Sequence, residues 1–98
     1  MIRVSRIVDA KPGKLSELME LGKALKIYMD SQGVTASIFT EPYGNSGRLH
    51  WHVDFEDAKA AHDVTSGAAS NPRVQEMRAR IETLTESHPE VSFLFEEE

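Results

Sequence analysis

The chain has 98 residues, 40% of them apolar and 28% charged, with a formal charge of -5. That length makes one domain, residues 1–98, with room for a single modest core, and the composition is that of a folded globular protein. The acidic balance, closing on Glu96-Glu97-Glu98, argues against a nucleic-acid ligand, which needs clustered Lys and Arg, and the absence of cysteine excludes disulfides, thiolate metal sites and a Cys nucleophile.

Met1-Ile2-Arg3-Val4-Ser5-Arg6 lacks the basic-then-apolar pattern of a secretory signal, and no run approaches the ~18 apolar residues of a membrane span. The expected address is cytoplasmic, with no membrane partner.

Ile2–Asp9 reads as a first strand, with Ile2, Val4 and Val8 on one side and Arg3, Ser5 and Ile7 on the other. Arg6 interrupts the apolar side. Lys11-Pro12-Gly13-Lys14 supplies a turn in which Pro12 suits the first helical position. Over residues 14–31, Leu15, Leu18, Met19, Leu25, Tyr28 and Met29 recur at spacings of three and four, which predicts an amphipathic helix of about five turns. Met19 and Met29 read as core filling. Gly22 sits inside the apolar stripe, where it lets a neighbour approach closely, and Gly33 ends the helix.

Residues 34–41 read as a second strand, with Val34, Ala36 and Ile38 opposite Thr35, Ser37 and Phe39. Pro42-Tyr43-Gly44-Asn45-Ser46-Gly47 is a dense turn cluster joining it to Arg48–Phe55 as an antiparallel hairpin. That third strand carries the clearest alternation in the chain. Leu49, Trp51, Val53 and Phe55 point one way, and His50, His52 and Asp54 the other.

Asp54 or Glu56 is expected to cap a second helix, with Asp57 in its first turn. Its small-residue stripe of Ala58, Ala60, Ala61 and Val64 is expected to be interrupted by Ser66-Gly67-Ala68-Ala69-Ser70-Asn71-Pro72. Asn71 as cap and Pro72 behind it start a further helix over residues 73–86 with Val74, Met77, Ile81 and Leu84 inward. Residues 91–96 make a last strand, with Val91, Phe93 and Phe95 on one face and Ser92 and Leu94 on the other.

This order predicts an α+β, ferredoxin-like βαββαβ fold with a four-stranded antiparallel sheet. Right-handed crossovers put the first and third strands in the centre and the helices on one face. The apolar strand positions, those of the last strand included, belong under the helices. The opposite face carries Arg3, Thr35, Ser37, Phe39, His50, His52 and Asp54 together with Ile7 and Leu94. That mixture suits two subunits bringing their sheets together around a cavity.

Lys11-Pro12-Gly13-Lys14 after a first strand, the glycine-rich hairpin running into Gly47-Arg48-Leu49-His50-Trp51, and Asn71-Pro72 before the last helix together resemble the dimeric α/β barrel superfamily. Its NIPSNAP-like and antibiotic-biosynthesis-monooxygenase-like domains are the members in point. The resemblance spans nearly the whole chain. It implies pairing of two subunits into a dimeric α/β barrel, and it does not transfer a reaction, since members include cofactor-independent monooxygenases, haem-degrading enzymes, lactone isomerases and proteins with no known reaction.

His50 and His52, about 7 Å apart along one strand face, are the candidate catalytic pair, since imidazole can take a proton near neutral pH. The competing view makes them hydrogen-bonded lining of a dimer interface. Asp54 extends the row, but three ligands on one straight strand do not converge on an ion, so no metal is expected without help from another strand. Arg3 can hold a carboxylate or enolate oxygen or pair with Asp54 across the strands, and the ion pair is preferred. Trp51 falls on the helix side, away from the expected cavity. Tyr28 and Tyr43 read as packing and loop residues, and His62 and His88 as surface or capping ones. No histidine is placed as a haem ligand, and no serine lies in a nucleophile elbow.

The leading expectation is a homodimer binding a small organic molecule, without a cofactor, in a sheet-face cavity lined by Arg3, Thr35, Ser37, Phe39, His50, His52 and Asp54. One alternative is a cofactor-independent monooxygenase or isomerase with His50 or His52 as base and Arg3 stabilising the anion. Another is a purely structural dimerisation module.

Overall fold

A computed structural model describes residues 1–86 and 89–97. The elements run β1 (Ile2–Asp9), α1 (Leu15–Ser31), β2 (Thr35–Thr40), β3 (Arg48–Phe55), α2 (Ala58–Ser70), α3 (Pro72–Leu84) and β4 (Glu90–Phe95). The strands form one antiparallel sheet in the order β2-β3-β1-β4. The ferredoxin-like arrangement is as the sequence predicts, with β1 and β3 central.

Local chemistry sets most of the boundaries. Lys11-Pro12-Gly13-Lys14 closes a turn through a Lys14 N–H to Lys11 carbonyl bond of 2.9 Å. Gly13 sits at φ 76°, a conformation only glycine adopts cheaply. Pro12 therefore belongs to this turn and not to the first helical position, and α1 starts three residues later with Lys14 at its cap. At the other end Val34 donates to the Met29 carbonyl and Gly33, at φ 79°, to that of Asp30. That is the Schellman closure expected of Gly33.

The second crossover differs from expectation in three places. Asp57, not Asp54 or Glu56, caps α2, accepting from the Ala60 N–H at 2.8 Å. Its backbone is extended at that point while Asp54 is still held in the sheet. The helix then continues through Ser66 and Gly67 to Ser70, because one glycine costs a helix only about 1 kcal/mol and no proline intervenes before residue 72. The break is Asn71 alone. It stops α2 and starts α3, its side chain accepting from the Arg73 and Val74 N–H groups.

Three groups of buried side chains hold the layers together. Val8, Leu18, Leu49 and Leu84 meet at one end, and Met29, Ala36, Val53 and Phe55 at the other. Leu25, Ala68, Val74 and Met77 join the helices to one another. Trp51 packs against all three groups. Gly22 lets α1 approach β2, since a Cβ there would stand 3.3 Å from Ile38 Cδ1. The helices rest on β2 and β3, and α3 packs on α1 and α2. β4 is left uncovered, with Phe93 65% and Phe95 66% exposed. Its apolar side is thus not under the helices, contrary to the expectation from alternation.

Because Asn71 serves two helices, Asn71→Ala is expected to lower stability by about 1 kcal/mol while Asn71→Asp stays near wild type. Urea unfolding checks this, and equal midpoints for all three proteins would contradict the capping role.

Candidate functional site

The sheet presents two chemically different faces. On the outer one, β1 and β3 are in register so that Arg3 faces Asp54, Ser5 faces His52, Ile7 faces His50 and Asp9 faces Arg48. Each end of this ladder is closed by a two-pronged ion pair. Arg3 donates to Asp54 at 2.7 and 3.0 Å, and Arg48 donates to Asp9 at 2.9 and 3.3 Å. The guanidinium of Arg3 holds the Asp54 carboxyl below its ordinary range, and Arg48 does the same for Asp9. Of the two roles open to Arg3, the ion pair is the one formed.

Between these clamps lie the two histidines. His50 Nε2 is 2.5 Å from a Glu41 carboxylate oxygen, and the hydrogen bond holds that carboxyl below its usual range. His52 lies against the Phe39 ring, centroids 5.3 Å apart, and edge-on to His50 at 6.5 Å. Its Nδ1 is buried with no hydrogen-bond partner among the described residues. Burial, then the charges of Arg3 and His50, push its pKa below the ordinary value, so the ring is neutral at neutral pH.

Thr35, Ser37 and Phe39 complete this face from β2, aligned with Asp54, His52 and His50. All seven residues singled out from the sequence therefore share one face. Phe39 and Leu94, 53% and 51% exposed, form its apolar part. No cluster of three or more His, Cys, Asp or Glu suited to a metal ion occurs among the described residues. His62 is exposed on α2, whereas His88 lies outside the described residues.

The cavity is on the other face. A space of about 600 Å³ lies between the helices and the inner side of the sheet. Val4, Arg6 and Val8 of β1 and Trp51 of β3 form its floor, Leu25 and Met29 of α1 its wall, and Phe93 of β4 its open side. Arg78, Glu82 and Glu86 supply a charged rim. Only Arg6 and Arg78 among its cations and carboxylates are half-buried; Glu82 and Glu86 are exposed. This cavity is thus not lined by Arg3, Thr35, Ser37, Phe39, His50, His52 or Asp54. It arises because α3 stands off the sheet. One end of α3 is sewn to β1, where Lys11 N–H bonds the Leu84 carbonyl at 2.8 Å and Glu86 N–H that of Asp9 at 2.9 Å; the rest leans on α1 and α2.

Sequence reasoning passed over Arg6 and Trp51 as site residues. The available signal was Arg6 itself, a cation in the apolar row of a central strand.

Among solved structures the chain is similar to an uncharacterized NIPSNAP domain protein from Burkholderia xenovorans. Identity is 19% and the TM-score 0.80, over 99% of this chain and 95% of that one. A NIPSNAP family protein from Agrobacterium tumefaciens is 21% identical with a TM-score of 0.79, over 96% and 90% of the two chains. A protein described as an antibiotic biosynthesis monooxygenase is 12% identical with a TM-score of 0.82, over the whole of both. The fold is that of NIPSNAP and antibiotic-biosynthesis-monooxygenase-like proteins. No family model and no curated protein matches the sequence. Within this NIPSNAP-like and monooxygenase-like fold, no helix of the described residues is long and apolar enough to cross a membrane.

The depressed pKa of His52 has a consequence for stability. Below about pH 6.5 the unfolded chain takes up a proton that the folded chain resists, so stability falls as pH drops through that range. His52→Gln is expected to reduce the difference between urea midpoints measured at about pH 7.5 and about pH 5.5. A pH slope identical to that of wild type would show that His52 does not contribute.

Proposed function

We propose that the protein is a homodimer that binds a small, largely apolar organic molecule in the cavity between its helices and sheet. The observation that carries this reading is the cavity of about 600 Å³ on the inner sheet face. Its size is in the range of small-molecule sites, and its makeup follows the same pattern, a mostly apolar lining with a few convergent polar groups. Trp51 and Phe93 put aromatic rings into the lining, suited to a planar ligand. No reaction is assigned to the site.

In this reading the outer face is where the second subunit docks. Phe39 and Leu94 are large apolar side chains exposed on this face, and Phe39 lies against His52, whose Nδ1 is buried without a partner among the described residues; contact with another sheet would relieve both. Two-fold pairing needs only one self-complementary patch. The patch here has apolar groups between ion pairs already satisfied within each chain, so pairing strands no charge.

A second reading keeps the outer face chemical. Two facing sheets would enclose a chamber beside His50 and His52, where neutral His52 would serve as the base and Thr35 and Ser37 as polar contacts for a bound acid. What favours it is the unoccupied Nδ1 of His52.

A neutral fluorophore, N-phenyl-1-naphthylamine, separates the two. Phe39→Asp is expected to shift the protein from dimer to monomer in sedimentation velocity while leaving fluorophore binding within about twofold of wild type. Thr65→Phe, at the mouth of the inner cavity, is expected to weaken binding several-fold while the dimer persists. Binding that is lost with the dimer and indifferent to Thr65→Phe would overturn the proposal in favour of the second reading.

A further inference from the structure

Building on the assignment of the inner cavity as a binding site, we propose that Arg6 and Arg78 form an anion-holding end of that cavity, which selects an apolar molecule bearing a carboxylate. Three other arginines, Arg3, Arg48 and Arg80, are matched to carboxylates, those of Asp54, Asp9 and Glu17. Arg6 and Arg78 have no such match among the described residues, although both line the cavity.

Their positions make this a placed pair. Arg6 projects from the inner side of a central strand, between Val4 and Val8 and across from Trp51 and Val91. A solvated arginine would be expected on the outer face or at an edge, and an apolar residue here would have completed the floor. Arg78 reaches the same space from α3, whose end is sewn to β1 by the Lys11 and Glu86 backbone bonds. Both arginines line the same space, and the charge of Arg78 adds to burial in disfavouring the charge on Arg6. Two like charges against an apolar wall oppose each other, and an anion between them relieves both the repulsion and the desolvation.

A carboxylate fits because the planar guanidinium offers paired N–H donors to its two oxygens. The rest of the lining wants a hydrocarbon or aromatic body. Glu82 and Glu86, exposed on the rim, form no ion pair with either arginine among the described residues. They leave the cations free for a ligand and disfavour a second acidic group at the mouth. The ligand class is therefore a monoanionic, ring-bearing carboxylate.

The test compares 1-pyrenebutyrate with its methyl ester, which has the same aromatic body and no charge. Energy transfer from Trp51, the one tryptophan of the chain, reports binding to the protein, and its loss in Thr65→Phe places the probe in the inner cavity. The wild-type protein is expected to bind the acid about tenfold or more tightly than the ester, the scale of a charge-assisted hydrogen bond. Arg6→Gln and Arg78→Gln are each expected to remove most of that preference, weakening the acid several-fold more than the ester. Ester binding also certifies that a variant is folded, and Arg78→Gln, on the outer layer, carries the test should Arg6→Gln fail to fold. Equal affinity for acid and ester in the wild type, or an acid preference that survives the substitutions, overturns the anion site and leaves the cavity as a binding site. Binding of neither probe overturns both.

Discussion

The structure depends on the packing of one partly buried side chain, the indole of Trp51. It is the residue on which the end cluster around Val8 and Leu84, the helix-to-helix cluster around Val74, and the far cluster around Met29 and Phe55 all converge. A large rigid ring at the centre of the sheet sets how near the helices can come. Gly22 allows α1 to close down over β2, while α3 finds its partners on α1 and α2. The strand nearest α3, β1, is left with a space above it. Trp51 thus joins the layers and floors the cavity that their imperfect closure leaves.

The same alternation that turns Trp51 inward divides the charges into two kinds. On the outer face each guanidinium is balanced by an aspartate on the neighbouring strand, Arg3 with Asp54 and Arg48 with Asp9. Such half-exposed pairs add little stability. Their value is positional, because a shift of strand register by one residue would separate both pairs at once and turn Trp51 outward. On the inner face Arg6 and Arg78 are not balanced in this way among the described residues. An inner surface that disfavours its own charges, next to an outer one that satisfies them, is the pattern expected of the proposed binding site.

Much of this was legible in the sequence because it rests on short-range rules. Period-two alternation in Arg48–Phe55 gives both faces of β3, Gly33 and Asn71-Pro72 mark helix ends, and antiparallel pairing of the central strands brings Arg3 to Asp54. The candidate residues were placed together on one face, as the structure has them, and the space over the inner face of the single chain was not foreseen. Alternation tells which side a residue takes and says nothing of how far the next layer stands from it. That distance is fixed by Trp51, Gly22 and the tie of Leu84 and Glu86 to the end of β1, none of which is a local pattern. The uncovered β4 was hidden for the same reason, since Val91, Phe93 and Phe95 alternate like buried residues. Asp57 lost out to Asp54 as the expected cap because the pairing of Asp54 with Arg3 is a tertiary fact. Arg6, in contrast, was visible as a break in an apolar row.

The most direct test of the account is a crystal structure of the protein as purified, with mass spectrometry of whatever copurifies. The account expects two chains packed through the outer faces of their sheets, with Phe39 and Leu94 buried between them and any bound molecule in the inner cavity against Trp51 and Arg6. Outer faces open to solvent, or a ligand seated between the two sheets beside His50 and His52, would contradict it.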